Sequence, residues 1–269
     1  MPQALLVPVA LAAMTAFTVP ARAEGEPLPD RLMLRLGGYS VNDAEQLVRL
    51  DANNAPVGAY IDFAETLGGE TSTNVIRLDG RYRFDDRHAL GFAWYTLKFD
   101  GHRVLQTDIS WGDVDFATGT TVDSKIEFDV YKINYQYSLY NKPEVELGAL
   151  VGLHVMGTSI GINAVGISQA RTESLTAPLP VWGLFARYNF TPRLMTYFNY
   201  QFFFVNYDDR VKGGLQDFLL GLEYRATRTL GLGAAFNRFG INLEAKEDAA
   251  TLFYDSSWTG LMLYGSLYF

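Results

Sequence analysis

The chain has 269 residues, a formal net charge of −8 and no cysteine. Without cysteine it can form no disulfide, no thiolate metal site and no cysteine nucleophile. Its acidic balance argues against a nucleic-acid ligand, because nucleic-acid binding requires clustered Lys and Arg.

The amino end predicts an export signal. Ala4 to Val19 form an apolar run that is too short and too poorly flanked for a membrane-stopping helix, and Ala21-Arg22-Ala23 fits a small-x-small cleavage site. A buried helix is the alternative, but Pro8 and Pro20 would both interrupt it. We therefore expect residues 1–23 to be a cleaved signal peptide. Residues 24–269 contain no linker or composition break, which predicts a single domain.

Short polar turns alternate with longer acidic stretches along the rest of the chain. The turns lie at 84–87, 140–143, 190–193 and 226–228, and the acidic stretches at 41–73, 100–124, 161–177, 207–213 and 244–251. Together they separate ten predicted strands, at 31–40, 74–84, 88–99, 125–139, 144–158, 179–190, 193–206, 214–225, 229–243 and 257–269. An even number of antiparallel strands is what a closed transmembrane barrel prefers.

The first two long loops contain further apolar segments. These are Leu47–Leu50, Tyr60–Ala64, Val104–Trp111 and Val114–Phe116. If they crossed the membrane, the barrel would have twelve or more strands. Because Asp and Arg interrupt their apolar faces, we expect β-hairpin extensions above the bilayer instead.

The strand at 193–206 separates apolar from polar side chains with a period of two. One face carries Leu194, Phe198, Tyr200, Phe202 and Phe204, and the other carries Arg193, Asn199 and Gln201. Such an apolar row is unfavourable on a surface that faces water and favourable on a surface that faces the acyl chains of lipid. A soluble β-sandwich, which also alternates, is the competing architecture.

The carboxyl end carries the strongest signal. Leu261, Leu263, Leu267 and Phe269 alternate with Gly260, Tyr264, Ser266 and Tyr268, and the chain stops on an aromatic residue. A bilayer-crossing strand needs about 9 to 11 tilted residues that are apolar on one face. We therefore predict an all-β fold: a closed antiparallel transmembrane β-barrel of the bacterial outer membrane, reached by export through the periplasm, with Phe269 as its membrane-insertion signal.

The same alternation points many charged side chains toward the barrel interior. They are Arg35, Arg77, Asp79, Arg81, Arg83, Lys132, Glu144, Glu146, Arg187, Asp217, Glu223 and Arg225. Opposite charges in a confined lumen should pair, because unpaired ions lose hydration without compensation. About eight strands make a barrel that side chains fill, and an aqueous channel needs about sixteen. We expect an ion-pair network that fills the lumen, with a narrow charge-selective conduit as the alternative.

Two short acidic patterns resemble the catalytic pairs of omptin proteases. They are Asp100 with His102, and Asp113 with Asp115. In that family a His takes a proton from a water that opposed carboxylates hold. Omptins place the pairs on opposite walls, whereas here one loop contains both, so we expect no catalytic site. A lipid esterase built on His154 and Ser159 is disfavoured, because an odd offset puts them on opposite strand faces.

Three segments resemble a widespread group of uncharacterised Gram-negative outer-membrane β-barrel proteins. They are Arg81-Tyr82-Arg83-Phe84 with Arg87-His88, Thr176 to Val181, and Leu222 to Arg228 with Leu230 to Gly233. The resemblance implies assembly by the outer-membrane insertion machinery and assigns no catalytic residue.

We therefore expect a non-enzymatic barrel in surface interaction, membrane organisation or narrow passive transport, with an omptin-like or esterase hydrolase as the alternative. Outer-membrane lipids and lipopolysaccharide are the expected partners. The acidic loops are better explained as a solvated rim than as cation sites, so we expect neither a metal nor a cofactor.

Overall fold

The computed structural model describes residues 31–52, 61–111, 114–166, 170–207, 211–246 and 250–269. The predicted signal at residues 1–23 lies outside the described residues, as do Tyr60 and Asp113. The elements are, in chain order, β1 (Leu32–Ala52), β2 (Ile61–Asp62), α1 (Phe63–Leu67), β3 (Thr73–Arg83), β4 (His88–Val104), β5 (Ile109–Trp111), β6 (Val114–Phe116), β7 (Thr121–Asn141), β8 (Val145–Ala164), β9 (Ala170–Asn189), β10 (Leu194–Tyr207), β11 (Val211–Arg225), β12 (Leu230–Lys246) and β13 (Ala250–Tyr268).

The ten long strands form one closed antiparallel barrel, as the sequence predicts. Each long strand pairs with the next, and β1 also pairs with β13. The seam begins with reciprocal backbone hydrogen bonds, from Leu32 N to Phe269 O at 3.1 Å and from Phe269 N to Leu32 O at 2.9 Å. Closure satisfies the backbone groups that an open edge would expose to lipid. Tight turns join the strands at one end of the barrel, the turn end, and the long connections lie at the other, the loop end.

The strands extend further toward the loop end than the sequence predicts. β7 has 21 residues, which at about 3.3 Å per residue and a tilt of about 40° gives about 50 Å along the barrel axis. The apolar band of this barrel class is only about 25 Å tall. Much of the sequence predicted as loop is therefore strand that lies beyond that band.

A reversal of the alternation explains why those extensions were missed. In the turn-end half of β7, Tyr131 and Ile133 face outward while Lys132 faces the lumen; nearer the loop end, Glu127 faces outward and Phe128 is buried inside. A strand in lipid is apolar outside, whereas a strand in water must be apolar inside. The apolar side chains therefore switch from the outer face of the strand to its inner face where the strand passes from lipid into water.

β1 corrects the prediction of a separate hairpin at Leu47–Leu50. This segment continues β1 beyond a β-bulge between Asn42 and Glu45, where Asp43 has φ 51°. The bulge shifts the side-chain parity by one residue, so the lumen receives Tyr39 before it and Val48 after it. The sequence alternation therefore appears broken although the strand is continuous.

The remaining predicted extensions are short. Tyr60–Ala64 was predicted as strand, but only Ile61–Asp62 is β2, which pairs with β1, and α1 begins at Phe63. Gly68 has φ 67°, which ends the helix. In the second long loop β4 continues to Val104, and β5 and β6 form the expected hairpin. No helix in the described part of the chain is long and apolar enough to cross a membrane.

Candidate functional site in the barrel lumen

The lumen contains two layers of different chemistry. We call the charged and amide side chains of the turn-end half the polar layer, and the buried apolar cluster of the loop-end half the apolar layer. The apolar layer includes Leu97, Phe99, Phe128, Phe239 and Trp258. Inward-facing side chains of the same strands form both layers. The two layers lie on either side of the point where the apolar side chains switch from the outer face of the strand to its inner face.

One carboxylate in the polar layer serves three guanidinium groups. The Glu146 carboxylate lies 2.7 Å from Arg81 Nη2, 2.8 Å from Arg83 Nη2 and 3.5 Å from Arg187 Nη1. It also accepts a 2.6 Å hydrogen bond from the Ser138 hydroxyl. These residues come from β3, β7, β8 and β9, so the cluster links three consecutive strands to β3, on the far side of β4, near the turn end.

A second group lies in the middle of the lumen. Lys132 Nζ lies 2.7 Å from Asp217 Oδ2, and the Asn237 amide donates to Asp217 Oδ1 at 2.7 Å. Asn237 Oδ1 accepts from the Tyr39 hydroxyl at 2.7 Å and from Arg77 Nη1 at 3.2 Å. Asn237 therefore bridges two ion-containing clusters, because Arg77 also pairs with Asp79 at 2.9 Å.

A third group joins the first strand to the last ones. Arg35 Nε donates to Glu223 Oε2 at 2.9 Å, and the Tyr268 hydroxyl donates to the other oxygen of Glu223. The Arg35 guanidinium lies over the Tyr197 ring, 3.9 Å from its centroid. Arg225 lies over the Tyr268 ring at 3.8 Å. Aromatic faces thus supplement the carboxylates as partners for buried guanidinium groups.

The aromatic rings of the lumen lie against glycines of neighbouring strands. A Cβ on Gly221 would lie 2.2 Å from the Tyr197 ring, and one on Gly233 would lie 2.3 Å from the Tyr264 ring. A side chain at either position would displace the ring and the ion pairs beside it. The glycines therefore set where the large lumenal rings fit.

The structure places eleven of the twelve predicted lumenal charges in the polar layer. Glu144 departs from the prediction, because it is exposed in the turn before β8. His154 is buried, and its Nε2 donates to Gln201 Oε1 at 3.0 Å. Sequence reasoning missed the neutral members of the network, above all Tyr39 and Asn237. Strand parity was the available signal, since Asn237 shares a face with Ala235 and Phe239.

The apolar layer lies in the lumen toward the loop end. Trp258 stacks on Phe239 with ring centroids 4.2 Å apart, and Phe128 lies 5.7 Å from Trp258. From α1, Phe63 and Leu67 are buried in the same cluster. The sequence-based expectation of a lumen filled by ion pairs is therefore incomplete, because large apolar side chains fill the loop-end half.

A cavity of about 90 Å³ lies within the polar layer. Its walls include the charged groups of Arg35, Arg77, Arg81, Lys132 and Arg187, together with Asp79 and Asp217. Within the described residues, no group of three or more His, Asp or Glu side chains could hold a metal ion.

The residues considered for protease chemistry lie elsewhere. Asp100 and His102 project from the outer face of β4, in line with the exposed Phe92 and Trp94. His102 Nδ1 lies 2.6 Å from Asp123 Oδ1, and their side chains are 68% and 56% exposed. Asp115 accepts a 2.6 Å hydrogen bond from Ser110, and Asp113 lies outside the described residues. An exposed pair on a convex wall provides no cleft for an oriented water.

The esterase pairing has no better geometry. His154 is fully buried in the lumen, whereas Ser159 has the opposite parity on β8 and is partly exposed. A nucleophile and its base must lie within hydrogen-bond reach of each other.

Neither a protein-family model nor a curated protein sequence matches the chain. Among solved structures, the outer membrane protease OmpT from Escherichia coli aligns with a TM-score of 0.56 at 10% identity, over 88% of this chain and 97% of that one. The fold is that of an outer-membrane β-barrel. The outer membrane protein OprG from Pseudomonas aeruginosa aligns with a TM-score of 0.37 at 14% identity, over 91% and 99% of the two chains. The toluene transporter TodX of Pseudomonas putida aligns at 0.35 and 10%, over 90% and 91%.

Proposed function

We propose that this protein is a non-enzymatic, non-conducting barrel of the bacterial outer membrane whose raised loop end acts in surface interaction. The apolar layer is the observation that supports a non-conducting barrel. Trp258, Phe239 and Phe128 pack against one another inside the loop-end half, where a pore would need water, and each is almost fully buried.

The outer face of the turn-end half supports a position in the membrane. Leu263 is 71% exposed and Leu261 58% exposed, and both point away from the lumen. Such a belt is unfavourable in water and favourable against acyl chains. Outer-membrane lipids and lipopolysaccharide are the proposed contacts. The insertion machinery would recognise the terminal strand that ends at Phe269, after export directed by residues 1–23.

The outer face of the loop-end half supports a water-exposed position. Its outward side chains form ion pairs, among them Lys98 with Glu127 at 3.4 Å and Arg171 with Glu173 at 2.7 Å. Exposed pairs of this kind contribute little stability. They do make the outer face of the loop-end half compatible with water. This part of the barrel would then hold the loops well above the bilayer on a rigid support.

Planar-bilayer recording tests the closed lumen. We expect no steady current from the purified barrel at a concentration at which a sixteen-stranded porin, the positive control, gives stepwise conductance. The same preparation should be folded, as judged by its β-sheet circular dichroism. A steady, ion-selective current from the parent protein would contradict the proposal and favour narrow passive transport.

No observation favours the hydrolase alternative, because Asp100 and His102 project from the outer face of β4 and His102 pairs with the exposed Asp123. Peptide and phospholipid substrates should therefore give only background turnover. Asp100→Asn and His102→Ala should give the same background. Turnover by the parent that either substitution abolishes would restore the alternative.

A further inference from the structure

The barrel wall is incomplete at one place in the loop-end half. β10 pairs with β9 only as far as Phe202 and Trp182, although β10 continues to Tyr207 and β9 begins at Ala170. Over this unpaired length β9 still pairs with β8 on its other side. Among the described residues, the edge of β9 that faces β10 therefore has no partner strand there.

Two prolines explain why the pairing ends. Pro178 and Pro180 have no N–H group, so neither can donate a hydrogen bond to a neighbouring strand. Their pairing with Val155 and Leu153 of β8 is uninterrupted, which places the sides that lack an N–H toward β10. β10 therefore cannot continue its ladder past these positions, and the wall opens at this height.

A cavity of about 170 Å³ lies at this free edge of β9, and we call it the loop-end cavity. Ser174, which has the outward parity of β9, and the inward Leu175 both line it, so the cavity reaches the edge of the strand. Its apolar lining comes from β1, β8, β9, β12, β13 and the β5–β6 hairpin: Val48, Ile160, Leu175, Leu243, Tyr254 and Trp111.

The lining favours an uncharged, apolar ligand. Leu175 is 56% exposed although its parity directs it into the barrel, so apolar surface is left uncovered here. Glu173 also lines the cavity and would repel an anion. Arg171 lies 2.7 Å from the Glu173 carboxylate and offsets its attraction for a cation.

One hydrogen-bond donor in the lining lacks an acceptor. The Trp111 Nε1 group is shielded from solvent and has no hydrogen-bond partner within the part of the chain that the structure describes. A buried donor without a partner costs free energy. A ligand that brings an acceptor oxygen would remove this cost. Apolar walls with a few polar groups are typical of small-molecule sites.

We propose that the loop-end cavity binds a small neutral molecule that has a hydrocarbon skeleton of about one ring and one acceptor oxygen. An apolar cavity of about 150 Å³ is known to hold benzene, so the volume here admits a slightly larger molecule. Its skeleton packs against Leu175 and Leu243, and its oxygen accepts from Trp111. The gap between β9 and β10 gives it a route from water, and binding requires no passage through the apolar layer.

Equilibrium dialysis of the full barrel in lipid nanodiscs tests the site, and empty nanodiscs measure the partition of each probe into lipid. The probes are acetophenone and isopropylbenzene, which have nearly the same shape and differ in the carbonyl oxygen. We expect saturable binding of both above the lipid background. Trp111→Phe keeps an aromatic ring and removes the donor, so it should weaken acetophenone about 2- to 10-fold and leave isopropylbenzene unchanged.

A matched pair of variants locates the binding. Leu175→Asp places a charge in the lining and should weaken both probes by about tenfold or more. Val104→Asp makes a similar change on the outer face of β4, where Val104 is 53% exposed, and should leave both affinities unchanged. If Leu175→Asp fails to fold, anomalous scattering from 4-bromoacetophenone in crystals of the parent protein should show a bromine peak in the cavity.

The proposal is wrong if neither probe binds above the background of empty nanodiscs. It is also wrong if folded Leu175→Asp binds both probes as the parent does, or if no bromine peak lies in the cavity. An equal effect of Trp111→Phe on the two probes would contradict the role of the acceptor oxygen.

Discussion

Glu146 shows how one residue can hold several strands of a barrel. Its carboxylate contacts guanidinium groups from β3 and β9 and a hydroxyl from β7, while its own backbone belongs to β8. Buried ion pairs contribute little net stability when intact, because desolvation offsets their attraction. The loss of one member is different, since the remaining charges stay buried without a partner.

We expect Glu146→Gln to lower the free energy of unfolding by about 3 to 5 kcal/mol, because the three guanidinium groups lose their shared carboxylate. Urea unfolding in lipid vesicles measures the change. Glu173→Gln is the matched control: its pair with Arg171 is exposed, so it should cost only about 0–1 kcal/mol. Similar losses in the two variants would show that Glu146 is no more than a surface partner.

At the scale of the element, β13 shows two environments along one strand. Its outward residues are Leu261, Leu263, Leu267 and Phe269 toward the turn end, and Asp255, Ser257 and Thr259 toward the loop end. Its inward residues include Ser266 and Tyr268 at the turn end, and the large apolar Trp258 lies further toward the loop end. The change from apolar to polar side chains on the outer face of β13 therefore indicates the level at which the hydrocarbon of the membrane ends.

Arginine substitutions on the outer face of β13 test this boundary. Leu263→Arg should lower the free energy of unfolding in lipid vesicles by about 2 to 4 kcal/mol, because a charge near the bilayer midplane is poorly solvated. Ser257→Arg, on the same face of the same strand, should cost about 0–1 kcal/mol. Equal costs in urea unfolding would place both residues in the same surroundings and contradict the boundary.

At the scale of the whole molecule, the barrel combines two kinds of β protein on continuous strands. The turn-end half is apolar outside and polar inside, as in a membrane barrel. The loop-end half is polar outside and apolar inside, with α1 and the β5–β6 hairpin contributing to its core. In that hairpin region, hydrogen bonds from the backbone N–H and the hydroxyl of Thr118 lower the pKa of Asp108.

Cysteine labelling tests the position of the whole barrel, since the chain has no native cysteine. Glu127→Cys and Ile133→Cys both face outward from β7. In intact cells a membrane-impermeant maleimide should label Glu127→Cys and not Ile133→Cys, and denaturation should make both reactive. Labelling of Ile133→Cys in the folded, membrane-embedded protein would contradict the proposed belt.

The sequence by itself determined the ten strands, the closed antiparallel barrel and the lipid-facing side chains of the last strand, because a period of two is a local property of each strand. It also predicted most of the inward charges by parity. Only the tertiary structure decided which of these charges meet, since Arg35 and Glu223 are 188 positions apart. The tertiary structure also decided how far the strands extend toward the loop end. Whether an apolar side chain faces lipid or a core depends on its height in the barrel, and a bulge such as that in β1 shifts the parity.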